Sequence, residues 1–545
     1  MLQIKKETKI PILCAFIQWF VTTVLQIDRA FFTYDHETKY YLIVKFLYLV
    51  TLLITWKFGF EVYKNVHENK AEYKRGVQIF SVYFVLLMVV LLILWPGTWA
   101  WDDVWVLDEI REYTTFCQWQ HIITGIYQDI ILQILPFPGG IILLQNIIIS
   151  TCVAFIVTNL EQTFNVKCIR YSILDIVLKI LPFLLPPVLM YQFSGYRMGL
   201  YVYLELTAVV MVLSAKVGKT SWKWSTICVF SFLTIIVSTW RTESLFYIPF
   251  FFVALFLISP SILSVIGKII CILVISIGFL CVNRYQNHEL GNSNYQIMSL
   301  IRPCTELVRI ADIEKDREEL EILNRVIDVD VIFNNPMLNG EELYWNTNCV
   351  RNMNDSLEDD YNEEDYKNFT KAFVRLALKH PKTVIEERWK LFIRGSGITD
   401  NTCTNVSSSA MFFEENNGNI RAAIMISRNW IANAPVFRYT RTALINILGG
   451  NTPSGTEIGV VKRLVWNAII PIIILLCTWI KLLFQKKWYY WLICSAVMIK
   501  LPIIILTQPS AWIMYLLSFY LLGYVVIVYQ CWILFSKRKM SEKNE

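Results

Sequence analysis

The residues with the clearest chemical potential lie in an acidic, tryptophan-rich stretch that follows an early apolar segment. Its carboxylates are Asp102, Asp103, Asp108 and Glu109. Its tryptophans are Trp95, Trp99, Trp101 and Trp105. Low dielectric beside a bilayer and the like charge of Asp102 and Asp103 both disfavour ionisation, which is how a carboxylate becomes an effective base. The alternative interpretation is a solvated surface loop with an aromatic belt.

Two arginines at the ends of apolar runs are candidates for binding a phosphate. Arg241 and Glu243 directly follow the run 225–240, and Arg197 precedes the run 199–214. A guanidinium binds a phosphate through two parallel hydrogen bonds. The alternative is that each arginine anchors its helix at the membrane surface or forms an ion pair, for which Glu243 is the nearest partner of Arg241.

Two histidines are further candidates. His121 is suited to holding an acceptor hydroxyl or tuning a carboxylate, whereas the alternative is a structural hydrogen-bonding residue. His380 precedes Pro381, and this pair is typical of a helix start with proline in the first turn.

The elements that must position these residues are predicted to be membrane-spanning helices. Of the 545 residues, 55% are hydrophobic and 17% are charged, whereas a soluble globular chain carries about 25% charge. Apolar runs of about 17–25 residues are long enough to cross a bilayer. Twelve candidates, some of them short, lie near 9–27, 40–56, 77–95, 139–158, 172–190, 199–214, 225–240, 245–258, 262–282, 464–482, 488–507 and 511–535. The sequence contains no CxxC pair and no Cys/His cluster, and therefore has no zinc or iron–sulfur signature.

Lysine and arginine are concentrated in every second connection between these runs, which sets an orientation. The pattern predicts that both termini are cytoplasmic and that the stretch 96–138 faces outside. The segment 121–135 is interpreted as a helix lying at the interface, with a thirteenth span as the alternative. The sequence therefore predicts an all-α polytopic protein of the cell membrane with about 12 transmembrane helices.

The charge distribution separates a membrane body from one large polar segment. The predicted parts are a transmembrane body 1–282 of about nine spans with a catalytic outer loop 96–138, a mainly helical extracytoplasmic domain 283–460, C-terminal helices 461–536 of about three spans, and a cytoplasmic tail 537–545. The segment 283–460 has 19 basic and 25 acidic residues, which leaves a net charge of +12 for the remainder. The overall charge of +6 therefore reflects membrane orientation and requires no nucleic-acid partner.

The sequence resembles the C-type (GT-C) integral membrane glycosyltransferases, especially bacterial members that act on cell-surface glycans. The resemblance rests on Pro96-Gly97…Asp102-Asp103 after an early span, on Arg241-Thr242-Glu243 at the end of a middle span, and on the order of the parts. The segment 372–392, with Lys379-His380-Pro381, is similar to a helix in related bacterial proteins. One departure is Ile122 after His121, where related sequences often have proline.

The resemblance implies an inverting transfer from a polyprenyl-phosphate sugar donor to a glycan, lipid-linked or cell-wall polymer acceptor outside the cytoplasm. Asp102 or Asp103 would take the proton of the acceptor hydroxyl, and Arg241 with Arg197 would hold the donor phosphate.

The resemblance also implies supporting roles for further residues of these segments. The supporting residues are Glu243, His121, Asp108 and Glu109, and the candidates for stacking on sugar are Trp99, Trp101 and Trp105. Some relatives use a divalent metal and others do not; Asp102, Asp103 and Glu109 are suited to Mg²⁺ or Mn²⁺, but carboxylates alone do not single out a metal site.

Two other functions fit the same sequence. A polysaccharide polymerase or ligase also works on lipid-linked glycans, but depends on arginines rather than on an acidic base. A transporter or flippase would fit twelve spans with both ends inside, although most runs lack the midplane charges that transporters use. Asp175 and Lys179, in the run 172–190, are among the exceptions.

Overall fold

The computed structural model describes residues 6–32, 38–99, 101–111, 121–166, 173–217, 221–290, 297–351, 362–399 and 435–541. The helices of its first half are α1 (Lys6–Val24), α2 (Thr38–His67), α3 (Ala71–Leu94), α4 (Trp101–Ile110), α5 (Ile122–Leu132), α6 (Pro138–Thr163), α7 (Ile173–Ile180), α8 (Pro186–Gln192), α9 (Arg197–Ala215), α10 (Trp224–Trp240), α11 (Tyr247–Leu257) and α12 (Val265–Leu290). The helices of its second half are α13 (Met298–Ile310), α14 (Arg317–Leu323), α15 (Val329–Asn334), α16 (Gly340–Asn346), α17 (Glu363–Lys379), α18 (Pro381–Gly395), α19 (Arg438–Leu448), α20 (Gly459–Val465), α21 (Ile469–Phe484), α22 (Trp488–Met498), α23 (Lys500–Thr507) and α24 (Leu517–Ser541). Over these ranges the only β pairing consists of two isolated bridges, so the all-α prediction is confirmed.

Eight segments within the described ranges are long and apolar enough to cross a membrane. They are Lys39–His67, Ala71–Leu94, Pro138–Thr163, Arg197–Ala215, Val265–His288, Gly459–Phe484, Trp488–Thr507 and Ile513–Phe535. A ninth candidate is a pair of helices, Ile173–Leu184 and Pro186–Gln192, bent by 74°. The prediction of a multi-pass helical membrane protein is confirmed.

The remaining predicted spans correspond to shorter apolar helices. These are Lys9–Val24, Trp224–Trp240 and Thr242–Leu257. The count of twelve therefore stays a prediction. Within the segment 121–135 the structure forms the 11-residue helix α5, and at 1.5 Å per residue it is too short to cross a bilayer of about 30 Å.

The chain divides into two compact units. The first comprises Met1–Phe279, Thr404–Val497 and Leu517–Glu545, and the second comprises Leu280–Cys403 and Met498–Leu516. The predicted polar segment 283–460 is thus shared between the units, since its described residues after 404 belong to the first.

Four charged side chains are buried among α3, α6 and α7 of the first unit. Arg75 Nη2 lies 2.7 Å from Glu161 Oε1 and 2.6 Å from Asp175 Oδ2. Lys179 Nζ lies 2.7 Å from the same Glu161 oxygen and 3.0 Å from the same Asp175 oxygen. Two cations and two anions compensate each other, which is the condition for placing such charges in a low-dielectric interior.

The second unit has a hydrophobic core of its own around α13, which includes Ile301, Cys304 and Leu307. At the start of α16, Asn339 caps the helix and Glu342 completes a capping box. At the end of α17, Lys379 Nζ lies 2.9 Å from Asp316 Oδ1 and 2.9 Å from Glu319 Oε1, so that α17 is tied to α14.

Candidate active site

The acidic stretch predicted as a loop contains a helix, α4, with Asp102 and Asp103 in its first turn. Carboxylates are stabilised there because the helix dipole and the unpaired backbone N–H groups favour negative charge. The Asp103 side chain is buried at 1% exposure, whereas Asp102 is half-buried. The two carboxylates are therefore placed differently: one inside the protein and one at its boundary.

A turn that connects α8 to α9 supplies a hydroxyl to each carboxylate. Ser194 Oγ donates to Asp103 Oδ2 at 2.7 Å, and the Tyr196 phenol donates to Asp102 Oδ2 at 2.9 Å. The Tyr196 backbone N–H donates to Ser194 Oγ at 3.1 Å, which fixes the turn. Burial, followed by the charges of Asp102 and Asp103, raises the pKa of Tyr196, so its phenol stays protonated and donates.

Gly195 lets this turn approach α4 closely. A Cβ atom on Gly195 would lie 2.6 Å from the Trp99 ring and 3.2 Å from the Asp103 Cβ. Gln128 Nε2 of α5 donates to the Gly195 carbonyl at 3.3 Å. The turn is thus held between the acidic helix and α5.

A second turn, just before α4, is held by two parts of the chain that are distant in sequence. The Thr98 N–H donates to the Phe193 carbonyl at 2.8 Å. Arg441 of α19 is fully buried and donates from Nη2 to the Gly97 carbonyl at 2.7 Å. Gly97 has φ +126, a conformation that favours glycine. These contacts fix where α4 begins.

The two predicted phosphate-binding arginines lie on adjacent segments. Arg197 begins α9, directly after Tyr196, and its Nη1 donates to the Trp240 carbonyl at 3.2 Å. Arg241 is the next residue after Trp240 and is buried, with its Nη2 2.7 Å from Glu243 Oε1. The ion pair considered as the alternative for Arg241 is present, so its charge is partly neutralised inside the protein.

His121 lies at the start of α5, buried at 8% exposure. Its Nδ1 accepts the Ile123 N–H at 3.3 Å. Burial, with the charge of Arg197, lowers the pKa of His121 to about 3. The imidazole is therefore neutral, and because Nδ1 accepts, the proton is on Nε2. Within the described part of the chain Nε2 has no hydrogen-bond partner, which leaves a buried N–H donor beside Arg197.

The remaining predicted site residues are the three tryptophans proposed to stack on sugar and the two further carboxylates of α4. Trp99 is fully buried and its Nε1 donates to the Pro96 carbonyl at 3.0 Å, so we assign it to packing rather than to sugar stacking. Glu109 is half-buried at the end of α4. The side chains of Trp101, Trp105 and Asp108 lie outside the described residues.

Sequence reasoning missed a polar face on α5. Trp240 Nε1 donates to Thr124 Oγ1 at 2.9 Å, and the Tyr127 phenol donates to Gln145 of α6 at 3.1 Å. Asp129 is buried at 1% exposure, and neither of its oxygens has a hydrogen-bond partner among the described residues. The available signal was the run of polar residues Thr124, Gln128 and Asp129 within an otherwise apolar helix.

No group of three or more histidine, cysteine, aspartate or glutamate side chains that would suit a metal ion is found over the described ranges. The arrangement offers instead a carboxylate at a protein boundary, a guanidinium and a neutral imidazole N–H on neighbouring segments.

No protein-family model, no curated protein and no solved structure matches this chain. The fold defines a class: a multi-pass membrane protein whose described elements are helical. The glycosyltransferase resemblance rests on the two motifs and on the order of the parts along the chain.

Proposed function

We propose that the protein is an inverting glycosyltransferase that moves a sugar from a polyprenyl-phosphate donor to a glycan or cell-wall polymer acceptor on the outer side of the cell membrane. The observation that carries the proposal is the turn 194–197. It binds both carboxylates of α4 through Ser194 and Tyr196, and it ends in Arg197. The proposed base on α4 and the proposed phosphate-binding cation are thereby both tied to one short turn.

Asp102 is the base in this proposal, and Asp103 positions the helix. Asp102 is partly exposed, whereas Asp103 is almost completely buried and accepts from Ser194. The acceptor hydroxyl oxygen attacks the anomeric carbon while its proton passes to Asp102. The bond from that carbon to the phosphate oxygen breaks, and the lipid phosphate leaves with the electron pair. Because a phosphate is a good leaving group, no acid opposite the base is required.

The leaving phosphate is stabilised by Arg197 and His121. Arg241 is already paired with Glu243, so we assign it mainly to placing Trp240, whose carbonyl accepts from Arg197. The neutral His121 donates from Nε2 at every pH above its lowered pKa of about 3. Fixed donors in a site that excludes water stabilise developing charge most strongly.

The test is sugar transfer by purified protein from a panel of polyprenyl-phosphate sugars. Asp102→Asn keeps the shape of the side chain and removes the base, and we expect a loss of about 100-fold or more in turnover. Asp330→Asn is the matched control, since Asp330 is exposed on the second unit. Full activity of Asp102→Asn, with the protein folded and monodisperse, would contradict the assignment of Asp102 as the base. A polymerase or ligase would instead lose activity in Arg197→Met and keep it in Asp102→Asn.

One observation favours a transporter as the second candidate. The apolar segment 173–192 is broken by 74° and contains Asp175 and Lys179 of the buried ion cluster. Broken spans with buried charges occur at transport sites. Movement of a lipid-linked or free sugar by reconstituted protein, without any transfer product, would favour this candidate.

A further inference from the structure

Helix α18 lies beside the end of a candidate membrane span within the second unit. Arg388 is buried in the middle of α18, and its Nη1 donates at 2.8 Å to the carbonyl of Gln508, the residue directly after α23. At the end of α18, a Cβ atom on Gly395 would lie 3.3 Å from the Ala511 carbonyl carbon. Helix α23 forms the second half of the candidate span Trp488–Thr507. The contacts of Arg388 and of Gly395 therefore both place α18 beside the residues that directly follow the span Trp488–Thr507.

One side of α18 is packed and a neighbouring side is apolar but uncovered. Leu391 and Phe392 are buried against the unit. Ile385 is 66% exposed and Trp389 is 55% exposed, and Ile393 is partly exposed. These three residues are spaced four apart, so they form one stripe along the helix. We call Ile385, Trp389 and Ile393 the apolar stripe.

The charges near the stripe suit a phospholipid surface. Lys382 and Lys390 are exposed on α18 near the stripe, and Glu386, exposed on the same side as Lys390, has its Oε1 3.7 Å from Lys382 Nζ. The long apolar stems of the two lysines can lie along a membrane surface while the cationic ends reach headgroup phosphates. Tryptophan is the residue type that prefers the boundary between headgroups and acyl chains.

The helix on which α18 packs carries exposed apolar residues of a candidate span. On α23, Pro502 and Leu506 are exposed on the outside of the unit, as expected for residues that face lipid. Helix α18 packs against this same helix. Because α18 packs beside a helix that is expected to face lipid, we choose lipid, rather than a second protein, as the occupant of the stripe.

We propose that α18 lies in the plane of the bilayer surface, with its apolar stripe in the boundary between headgroups and acyl chains. In this position α18 sets the depth of the second unit relative to the membrane without crossing it. The inference does not depend on the proposed sugar transfer.

Photo-crosslinking in lipid nanodiscs of phosphatidylcholine and phosphatidylglycerol tests this placement. The photoreactive residue p-benzoylphenylalanine replaces Trp389 in one full-length variant and Glu321 in the control. Glu321 has a side chain 65% exposed and belongs to α14 of the same unit rather than to α18. We expect lipid adducts at position 389 at least ten times as abundant as at 321, measured by mass spectrometry.

A variant with the same replacement at Ile385 serves as a second position if the Trp389 variant fails to fold. Lipid adducts at position 385 support the proposal in the same way. Equal adducts at the stripe and at position 321, crosslinks from the stripe to a second copy of the chain, or no lipid adduct at either stripe position would overturn it.

Discussion

The Tyr196 phenol donates a 2.9 Å hydrogen bond to Asp102 from a position 94 residues further along the chain. This bond holds the Asp102 carboxylate at the boundary of the protein. It also couples the carboxylate to Arg197, the residue that follows Tyr196. The position of the proposed base therefore depends on the turn that carries the proposed phosphate-binding group.

Replacing Tyr196 by phenylalanine tests this coupling. Loss of a hydrogen bond to a charged group costs about 1.5–3 kcal/mol, so we expect the transfer rate of Tyr196→Phe to fall by roughly 10-fold to 150-fold. The measurement is initial turnover with saturating donor. Tyr439→Phe is the control, since Tyr439 is 91% exposed. Equal rates in both variants would remove Tyr196 from the site.

Gly195 tests the close approach of the turn to α4. A methyl group at this position would lie 2.6 Å from the Trp99 ring, and overpacking of this kind costs about 1–3 kcal/mol. We expect Gly195→Ala to lower the apparent melting temperature in detergent and to reduce transfer, because the added methyl group would also lie 3.2 Å from the Asp103 Cβ. Gly59→Ala is the matched control, as no atom lies within 4 Å of the position of its added Cβ. A Gly195→Ala protein as stable as the control would contradict this packing.

The apolar runs predicted most of the helices because their period and length are properties of the local sequence. The sequence also identified four site candidates, because charged residues beside apolar runs are conspicuous: Asp102, Asp103, Arg197 and Arg241. It could not identify the residues that form hydrogen bonds with this site. Ser194 and Arg441 meet the segment 97–103 only through the fold, across 91 and 344 residues, and no local pattern marks such a contact. The helix α4 was predicted as a loop because its ten residues are too few for a span.

His121 makes the stability of the protein sensitive to acid. Its folded-state pKa is about 3, whereas an unfolded histidine has a pKa of about 6.5. Between these values the unfolded state binds more protons, so stability is present above pH 6.5 and is lost as the pH falls. The expected loss is about 1 kcal/mol per pH unit below about 6. His121→Gln should flatten this dependence of the melting temperature between pH 7 and pH 5. If the melting temperature of His121→Gln depends on pH as steeply as that of the unchanged protein, other titrating groups cause the dependence.

Variants of the buried ion cluster of Arg75, Glu161, Asp175 and Lys179 can separate a structural role from transport. Among the residues that the structure describes, removing Lys179 leaves Arg75 as the cation paired with Glu161 and Asp175, and an uncompensated buried charge costs about 3–5 kcal/mol. Lys179→Met should therefore lower the melting temperature strongly, and the double variant Lys179→Met, Asp175→Asn should recover most of the loss, because it restores the balance of charge. If the cluster only joins α3, α6 and α7, the recovered double variant also recovers its activity. A double variant that is stable, inactive and unable to move a sugar across vesicles would assign the cluster to transport instead.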